Sequence, residues 1–347
     1  MPGCLRDAAP DAWGRRVIMN RLLGSKGSSA DTAQLDELTY LLSSGSDRIG
    51  ALDFQRSPTE YQPRSTDNAT LEELLKSAER VQKGIPLKPE LDQALLHGSS
   101  IGGARPKALI QDNNKKYVAK FSMSTDLSNV VKSEYIAMRL AKIVGLDVAN
   151  VTLKNAANKD VLLIERFDRI YNNHGWTRKL MISALSLLKL DEMHARYASY
   201  ETFAEIVRHK FVDPKESLRE LFSRMVFNIL CGNTDDHARN HAAFWDGENL
   251  SLTPAYDICP QGRTGNEASQ AMLISGNNNL SQLQTCLDSA HNYLLSKDEA
   301  INIFNSQIGL IEKNWDAVCD EADLSTIDRN LLWGRQFLNV WSLSFDS

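Results

Sequence analysis

Stretches whose apolar residues recur every three or four positions give way along this chain to stretches where they alternate or run together. Residues 1–56 read as short helices closing in DRIGALDF, which reads as a strand. QRSPTEYQPRSTDNAT, rich in proline, serine and threonine, reads as a surface connector. TLEELLKSAERVQKG has helical spacing, with Thr70 as N-cap and Gly84 as the stop. A second short helix, KPELDQALLHG, runs into the small and glycine-rich SSIGGARPKALIQ.

From there the period changes. KALIQ, KKYVAKF and DVLLIERF read as strands, the first two joined by a polar DNN turn. Between the second and third, SNVVKSEYIAMRLAKIVGL sets Val131, Tyr135, Met138, Ala141 and Ile143 at helical spacing and stops at Gly145. Residues 98–168 thus read strand, strand, helix, strand, strand. Beyond residue 176 the pattern is mainly helical, over 180–190, 199–210, 215–231, 297–320 and 325–344. Strands first and helices after predict an α+β fold with a strand-rich N-terminal lobe and a helical C-terminal lobe. The expected parts are 1–56, a helical connector at 57–97, a small lobe at 98–170 and a large lobe at 171–347.

Composition adds limits. With 347 residues, 42% hydrophobic and 24% charged, the chain is long enough for two lobes with a real core. A net charge of −5 argues against a large sequence-independent nucleic-acid surface. No apolar run reaches membrane-spanning length, and the start lacks the apolar core of a secretory signal. A cytoplasmic protein without membrane contact is the expectation. Cys4, Cys231, Cys259, Cys286 and Cys319 are scattered, odd in number and without a C-x-x-C, as reduced thiols are.

The chemistry concentrates in GNTDDHARNHAAFWDGENLSLTPAYDIC, residues 232–259. Asp235 and Asn240 have the D-x-x-x-x-N spacing of a kinase catalytic loop, where the Asp accepts the proton of the attacking hydroxyl and the Asn binds Mg²⁺. Asp236 lacks that spacing, because His241 follows it by five. HAAFW, an Asp246-Gly247 turn and LSLTPAYD predict a hairpin that delivers Asp257 as a second oxygen ligand for Mg²⁺. Lys120 ends an apolar strand in YVAKF, and Glu134 lies on the helix that follows, where it can pair with that lysine. Backbone amides of the Gly102-Gly103 loop can cradle phosphates, although the loop is neither G-x-G-x-x-G nor a Walker motif. Taken singly, each residue also fits a plainer role: a helix cap or turn for Thr234, Asp235 and Asp236, a solvated strand end for Lys120, a surface charge for Glu134. Their order and spacing together favour phosphoryl transfer. A metal site at HARNH is the other reading, since His237 and His241 would share a helix face, but Ala238 stands where a zinc protease has its Glu.

With SSIGGARPKALI, YVAKF, SEYIAMRLAKIVGLDV, LLIERFDR, GNTDDHARNHAAF and LTPAYDI in place, the chain resembles the HipA family, serine/threonine kinases that are toxins of bacterial type II toxin–antitoxin systems. The resemblance runs over most of the chain and implies a protein-kinase-like fold that uses ATP and Mg²⁺. It implies Asp235 as the catalytic Asp, Asn240 and Asp257 as metal ligands, His237 near the phosphates and Lys120 on them. Backbone around Glu165 and Phe167 would read adenine, and Asp168 would reach the ribose. Ser100, or its neighbour Ser99, matches the serine whose autophosphorylation ejects the phosphate loop and switches the enzyme off. The family also implies a protein target, such as an aminoacyl-tRNA synthetase or another translation factor, and a DNA-binding helix-turn-helix antitoxin as partner. Asp236 departs from the glycine often found there. The chain is expected to begin inside the family's N-terminal subdomain, residues 1–56 being part of it, with the earlier strands lost or supplied by a separate small protein. A small-molecule phosphotransferase of the aminoglycoside-kinase type and an inactive antitoxin-binding scaffold are the alternatives.

Overall fold

The computed structural model describes residues 1–23, 31–64, 70–82, 85, 105–122, 126 and 129–345. The chain divides into two compact units, Met1–Asp126 with Thr152–Met181, and Leu127–Val151 with Ile182–Ser347. These limits differ from the lobes expected at 98–170 and 171–347, because the helix at 130–143 belongs to the second unit and residues 171–181 to the first.

In the first unit, helices α1 (Gly3–Asp7), α2 (Ala12–Leu23), α3 (Glu37–Ser43) and α4 (Leu71–Gln82) precede strands β1 (Lys107–Asp112) and β2 (Lys115–Phe121). Thr70 caps α4 as expected, accepting from the Glu73 amide at 3.2 Å while the Glu73 carboxylate accepts from the Thr70 amide at 2.9 Å. Gly84 and the expected helix at 88–98 lie outside the described residues.

After α5 (Val130–Ile143), which belongs to the second unit, come β3 (Val151–Ala156) and β4 (Lys159–Glu165), so the expected strand, strand, helix, strand, strand order is what forms. The sheet order is β1-β2-β4-β3, with β2 antiparallel to both neighbours. Ala108, Ala119, Phe121, Val161 and Leu163 share one face, packed on Trp13 of α2 and on Leu74, Leu75 and Ala78 of α4. The Trp13 indole also donates to the Lys107 carbonyl at 3.1 Å. A hairpin of β5 (Arg169–Asn172) and β6 (Gly175–Arg178) follows.

DRIGALDF does not form the expected strand. Its backbone is satisfied by side chains instead of a ladder. The Arg48 carbonyl accepts from Arg166 at 2.6 Å and from Arg169. The Gly50 carbonyl accepts from Arg169 at 2.8 Å, and the Gly50 amide donates to Asp168 at 2.8 Å. Gly50 has φ +71°, and a Cβ there would sit 3.3 Å from the Met181 amide nitrogen, so glycine suits the turn.

In the second unit, β7 (Leu180–Ser183), which begins in the first, and α6 (Ala184–Leu187) replace the expected helix at 180–190. Ser183 caps the short helix, and Lys189, at φ +58°, stops it. Then come α7 (Tyr200–Lys210), α8 (Pro214–Leu230), a hairpin of β8 (Ala242–Trp245) and β9 (Leu250–Leu252), α9 (Leu283–Ser289), α10 (Lys297–Glu321) and α11 (Thr326–Leu332). α5 docks on α10, where Arg139 pairs with Glu321 at 2.9 Å. The helix expected over 325–344 stops at Leu332 because residues 333–338 serve another purpose. Trp333 is extended, Gly334 has φ +72°, and the Leu338 amide donates to the Leu230 carbonyl at 2.8 Å.

One charge holds the first unit's irregular segment. Burial by itself would raise the Asp47 carboxyl, but Arg166, Arg169 and Lys116 hold it well below the usual carboxylate range. A carboxyl depressed in the folded state contributes stability above its unfolded value of about 3.9, lost as pH falls below that. Urea melts should therefore lose stability progressively below about pH 4. Asp47→Asn should be weaker at neutral pH by about 3 kcal/mol, with a flatter acid limb. Equal acid slopes in the two proteins would place the sensitivity elsewhere.

Candidate active site

The loop behind α8 is irregular backbone in a buried place. Of residues 231–241 only Asp235 is exposed. The chain turns out of the helix at Gly232, with φ +70°, where a Cβ would lie 2.7 Å from the Gln336 carbonyl oxygen and 2.9 Å from its Cα. Only glycine fits that approach. Buried carbonyls need donors, and the loop finds them all over the unit. Gly232 accepts from the Gln261 amide at 2.9 Å, Thr234 from Ala271 at 3.1 Å, Ala238 from Leu185 at 3.0 Å and His241 from Ala184 at 2.8 Å. Asn233 bonds Asn228 through backbone at 2.8 Å and side chain at 3.0 Å.

Within this frame the Asp235 carboxylate is exposed and has no hydrogen-bond or ion-pair partner among the described residues. Buried Asn240 is held by its own amide on the His237 carbonyl at 2.8 Å. Its Nδ2 reaches the Asp235 carbonyl in a long 3.5 Å bond, which leaves Oδ1 as the atom available to a ligand. His237 is half-buried, with Nδ1 lacking a partner among the described residues. Asp236 is 2% exposed and faces the interior, accepting from the Tyr200 hydroxyl and contacting His241 Nε2 at 3.0 Å. The HARNH segment is not helical, and His241 is occupied by Asp236, so the two-histidine metal reading fails on both counts.

The expected hairpin forms, with Ala243 opposite Leu252. Asp246 accepts the Glu248 and Asn249 amides at 2.9 and 2.8 Å, and Gly247 takes φ +112°. Beyond it the strand-like segment is clamped: Ala255 exchanges backbone bonds with Asp147 and Ala149 at 2.8 and 2.9 Å. The Tyr256 hydroxyl donates to the Arg239 carbonyl at 2.7 Å. That bond joins the residue before Asp257 to the residue before Asn240. Asp257 itself is half-buried at φ +60°, a left-handed backbone that costs a non-glycine residue about 1 kcal/mol or more. A carboxylate and a carboxamide oxygen are hard donors, the set that suits Mg²⁺ completed by water and phosphate oxygens.

The first unit holds Lys120, Glu165, Phe167 and Asp168. Lys120 is 8% exposed, on the sheet face away from α2 and α4. The register puts Lys107, 5% exposed, directly opposite it on the same face, beside apolar Leu109, Val118, Leu162 and Ile164. Sequence reading missed Lys107; counting outward from a two-residue turn at 113–114 pairs it with Lys120. Glu165 is bound by Lys115 at 2.8 Å, and the Arg166 amide donates to the Lys116 carbonyl at 2.7 Å. Phe167 is half-buried.

Asp168 corrects an expectation. It is buried, and its carboxylate is taken by Arg166, Arg169 and the Gly50 amide at 2.8–2.9 Å, so no oxygen is presented to a ribose. Glu134 is buried in α5 of the second unit. Ser99, Ser100, Gly102 and Gly103 lie outside the described residues. No described helix is long and apolar enough to cross a membrane.

The profile of the HipA-like C-terminal domain matches residues 99–315. A Sinorhizobium fredii protein named "Putative kinase Y4mE" is 25% identical over 269 residues, 70% of this chain and 60% of that protein. The serine/threonine-protein kinase toxin HipA of Shewanella oneidensis is 25% identical over 183 residues, 46% of this chain and 42% of the toxin. The chain thus spans about half the length of the curated relatives it matches. Among solved structures, a chain of the Shewanella oneidensis toxin–antitoxin complex of HipA, HipB and operator DNA superposes with a TM-score of 0.70 at 19% identity. That match covers 98% of this chain and 87% of the other, and it establishes the shared fold.

Gly232→Ala should lower unfolding stability by about 2–5 kcal/mol, combining left-handed strain with the clash against Gln336. Gly265→Ala is the control. It has φ +90° but nothing within 4 Å of the added Cβ, so about 1 kcal/mol is expected. Chemical denaturation of the two variants beside the parent decides; equal losses would mean that the Gln336 approach relaxes freely.

Proposed function

Because the chain belongs to the HipA-like C-terminal domain family, we propose that it is a protein kinase that transfers the γ-phosphoryl group of ATP to a serine or threonine hydroxyl of a protein. The observation that carries this reading is the loop at 231–241, where the Asp235 carboxylate is exposed without a partner among the described residues while Asn240 is held by its amide on the His237 carbonyl. Asp235 accepts the proton as the hydroxyl oxygen bonds to phosphorus and the bond to the ADP oxygen breaks. Asn240 Oδ1 and Asp257 would hold Mg²⁺, which when bound neutralises phosphate charge. His237 lies in the same loop, near the phosphates. In the first unit Lys120 and Lys107 bind phosphate oxygens, and the backbone at Glu165 and Phe167 reads adenine. The Gly102-Gly103 loop would cradle the phosphates.

Kinase names among the relatives support the reaction class. A cytoplasmic target in translation, such as an aminoacyl-tRNA synthetase, and a helix-turn-helix antitoxin that binds DNA complete the proposal; the HipA–HipB–operator complex of the structural neighbour supports the second. Phosphorylation of Ser100 adds roughly two negative charges to a phosphate-holding loop and turns the enzyme off by repulsion.

Intact-mass analysis after incubation with Mg·ATP tests this, with Asp235→Ala and Asp257→Ala alongside. The parent should gain one phosphate at Ser100 or Ser99, or carry it from the start. Each variant should be slower by about 100-fold or more. A parent unmodified at both times and unable to bind ATP would overturn the kinase reading and favour the scaffold. ATP turnover with a small hydroxylated acceptor but no protein acceptor would favour the small-molecule phosphotransferase.

A further inference from the structure

Asp236 has no part in the reaction proposed above, yet it is among the most enclosed residues of the loop. The spacing is instructive. Asp235 and Asn240 are five apart, and so are Asp236 and His241, one step along. The first pair carries the proposed chemistry. The second closes on itself, with His241 Nε2 at 3.0 and 3.1 Å from the two Asp236 oxygens.

A third group secures the pair. The Tyr200 hydroxyl donates to Asp236 Oδ2 and stands 3.2 Å from His241 Nε2, and its ring meets the imidazole edge-on at 5.3 Å. Tyr200 opens α7 and is fixed in turn: Ser199 caps the helix, and the Tyr200 amide donates to the Leu273 carbonyl at 2.9 Å. His241 Nδ1 is buried without a partner among the described residues. A proton there would be an unsatisfied buried donor, so the ring carries it on Nε2 and donates to Asp236.

We infer that Tyr200, Asp236 and His241 form a buried clasp that sets the catalytic loop, so that the three are positioning residues for Asp235 and Asn240. The clasp ties position 236 to position 241, the immediate neighbours of Asp235 and Asn240. It therefore fixes both ends of the segment that bears the reacting groups. Bonds to a carboxylate in a water-free setting are strong and directional, and an error of about 1 Å in placing a reacting group can cost about 100-fold in rate. Both Asp236 oxygens are engaged, so neither a metal nor a substrate proton is expected on it. The kinetic half of this inference rests on the phosphotransfer reading; the structural half does not.

The test pairs Tyr200→Phe, which removes one oxygen and keeps the ring, with Asp236→Asn. Hydrogen exchange of the amides at 233–241 reads the loop directly. Steady-state phosphotransfer gives kcat and the KM for ATP, and thermal melting reports the fold. Expected in both variants are loop exchange at least about tenfold faster and kcat about 10- to 100-fold lower, with KM within about threefold. The double variant should be hardly slower than the worse single, as for groups acting as one unit. Unchanged loop exchange, or a kcat loss that vanishes once activity is referred to folded protein, overturns the inference. If Asp236→Asn does not fold, Tyr200→Phe alone decides. If the parent shows no phosphotransfer, the kinase reading fails, while the exchange measurement still upholds or overturns the clasp.

Discussion

A buried stretch of irregular backbone is tolerable only when every polar group finds a partner, and that requirement organises the second unit. The loop at 231–241 cannot supply its own bonds as a helix would. It draws on α6, on the residues around 261 and 271 and on Tyr256. Each of those elements is placed, at least in part, by the need to reach it. The outcome is a fixed backbone from which one acid projects into solvent.

Neighbouring acids meet opposite fates here, and the difference comes from surroundings alone. The Asp235 carboxylate is exposed and without a partner among the described residues, while that of Asp236 lies against a hydroxyl and an imidazole. The first unit applies the same logic to larger charges. Asp47 and Asp168 are enclosed, but Arg166 and Arg169 are enclosed with them, and the backbone carbonyls of Arg48 and Gly50 take the remaining guanidinium donors. Charges buried in that way remain charged because breaking any one pair would strand the others.

The regular elements were legible because their signals are local. Thr70 and Glu73 announce a helix start, and the DNN turn with its alternating flanks announces β1 and β2. The spacing of Asp235 and Asn240 was legible for the same reason. What escaped depends on partners far along the chain. DRIGALDF alternates like a strand, yet its bonds come from arginines more than 110 residues later. Asp168 sits in a motif whose pattern implies a ribose contact, but two adjacent arginines and a distant amide claim its oxygens. The helical pattern past residue 332 gives way to a left-handed Gly334 and a turn that sets the Gln336 backbone under Gly232 and the Leu338 amide on the Leu230 carbonyl.

That last demand bears on when the molecule becomes complete. The floor beneath Gly232 is the backbone of Gln336, and Leu230 is closed by the Leu338 amide. Contacts of such long sequence separation form late, because the chain between must be closed first. During synthesis the segment that carries Asp235 leaves the ribosome about 100 residues ahead of its floor, and at roughly 5–20 residues per second it waits several seconds for it. A nascent chain in that interval has the loop but not yet the surface that supports Gly232.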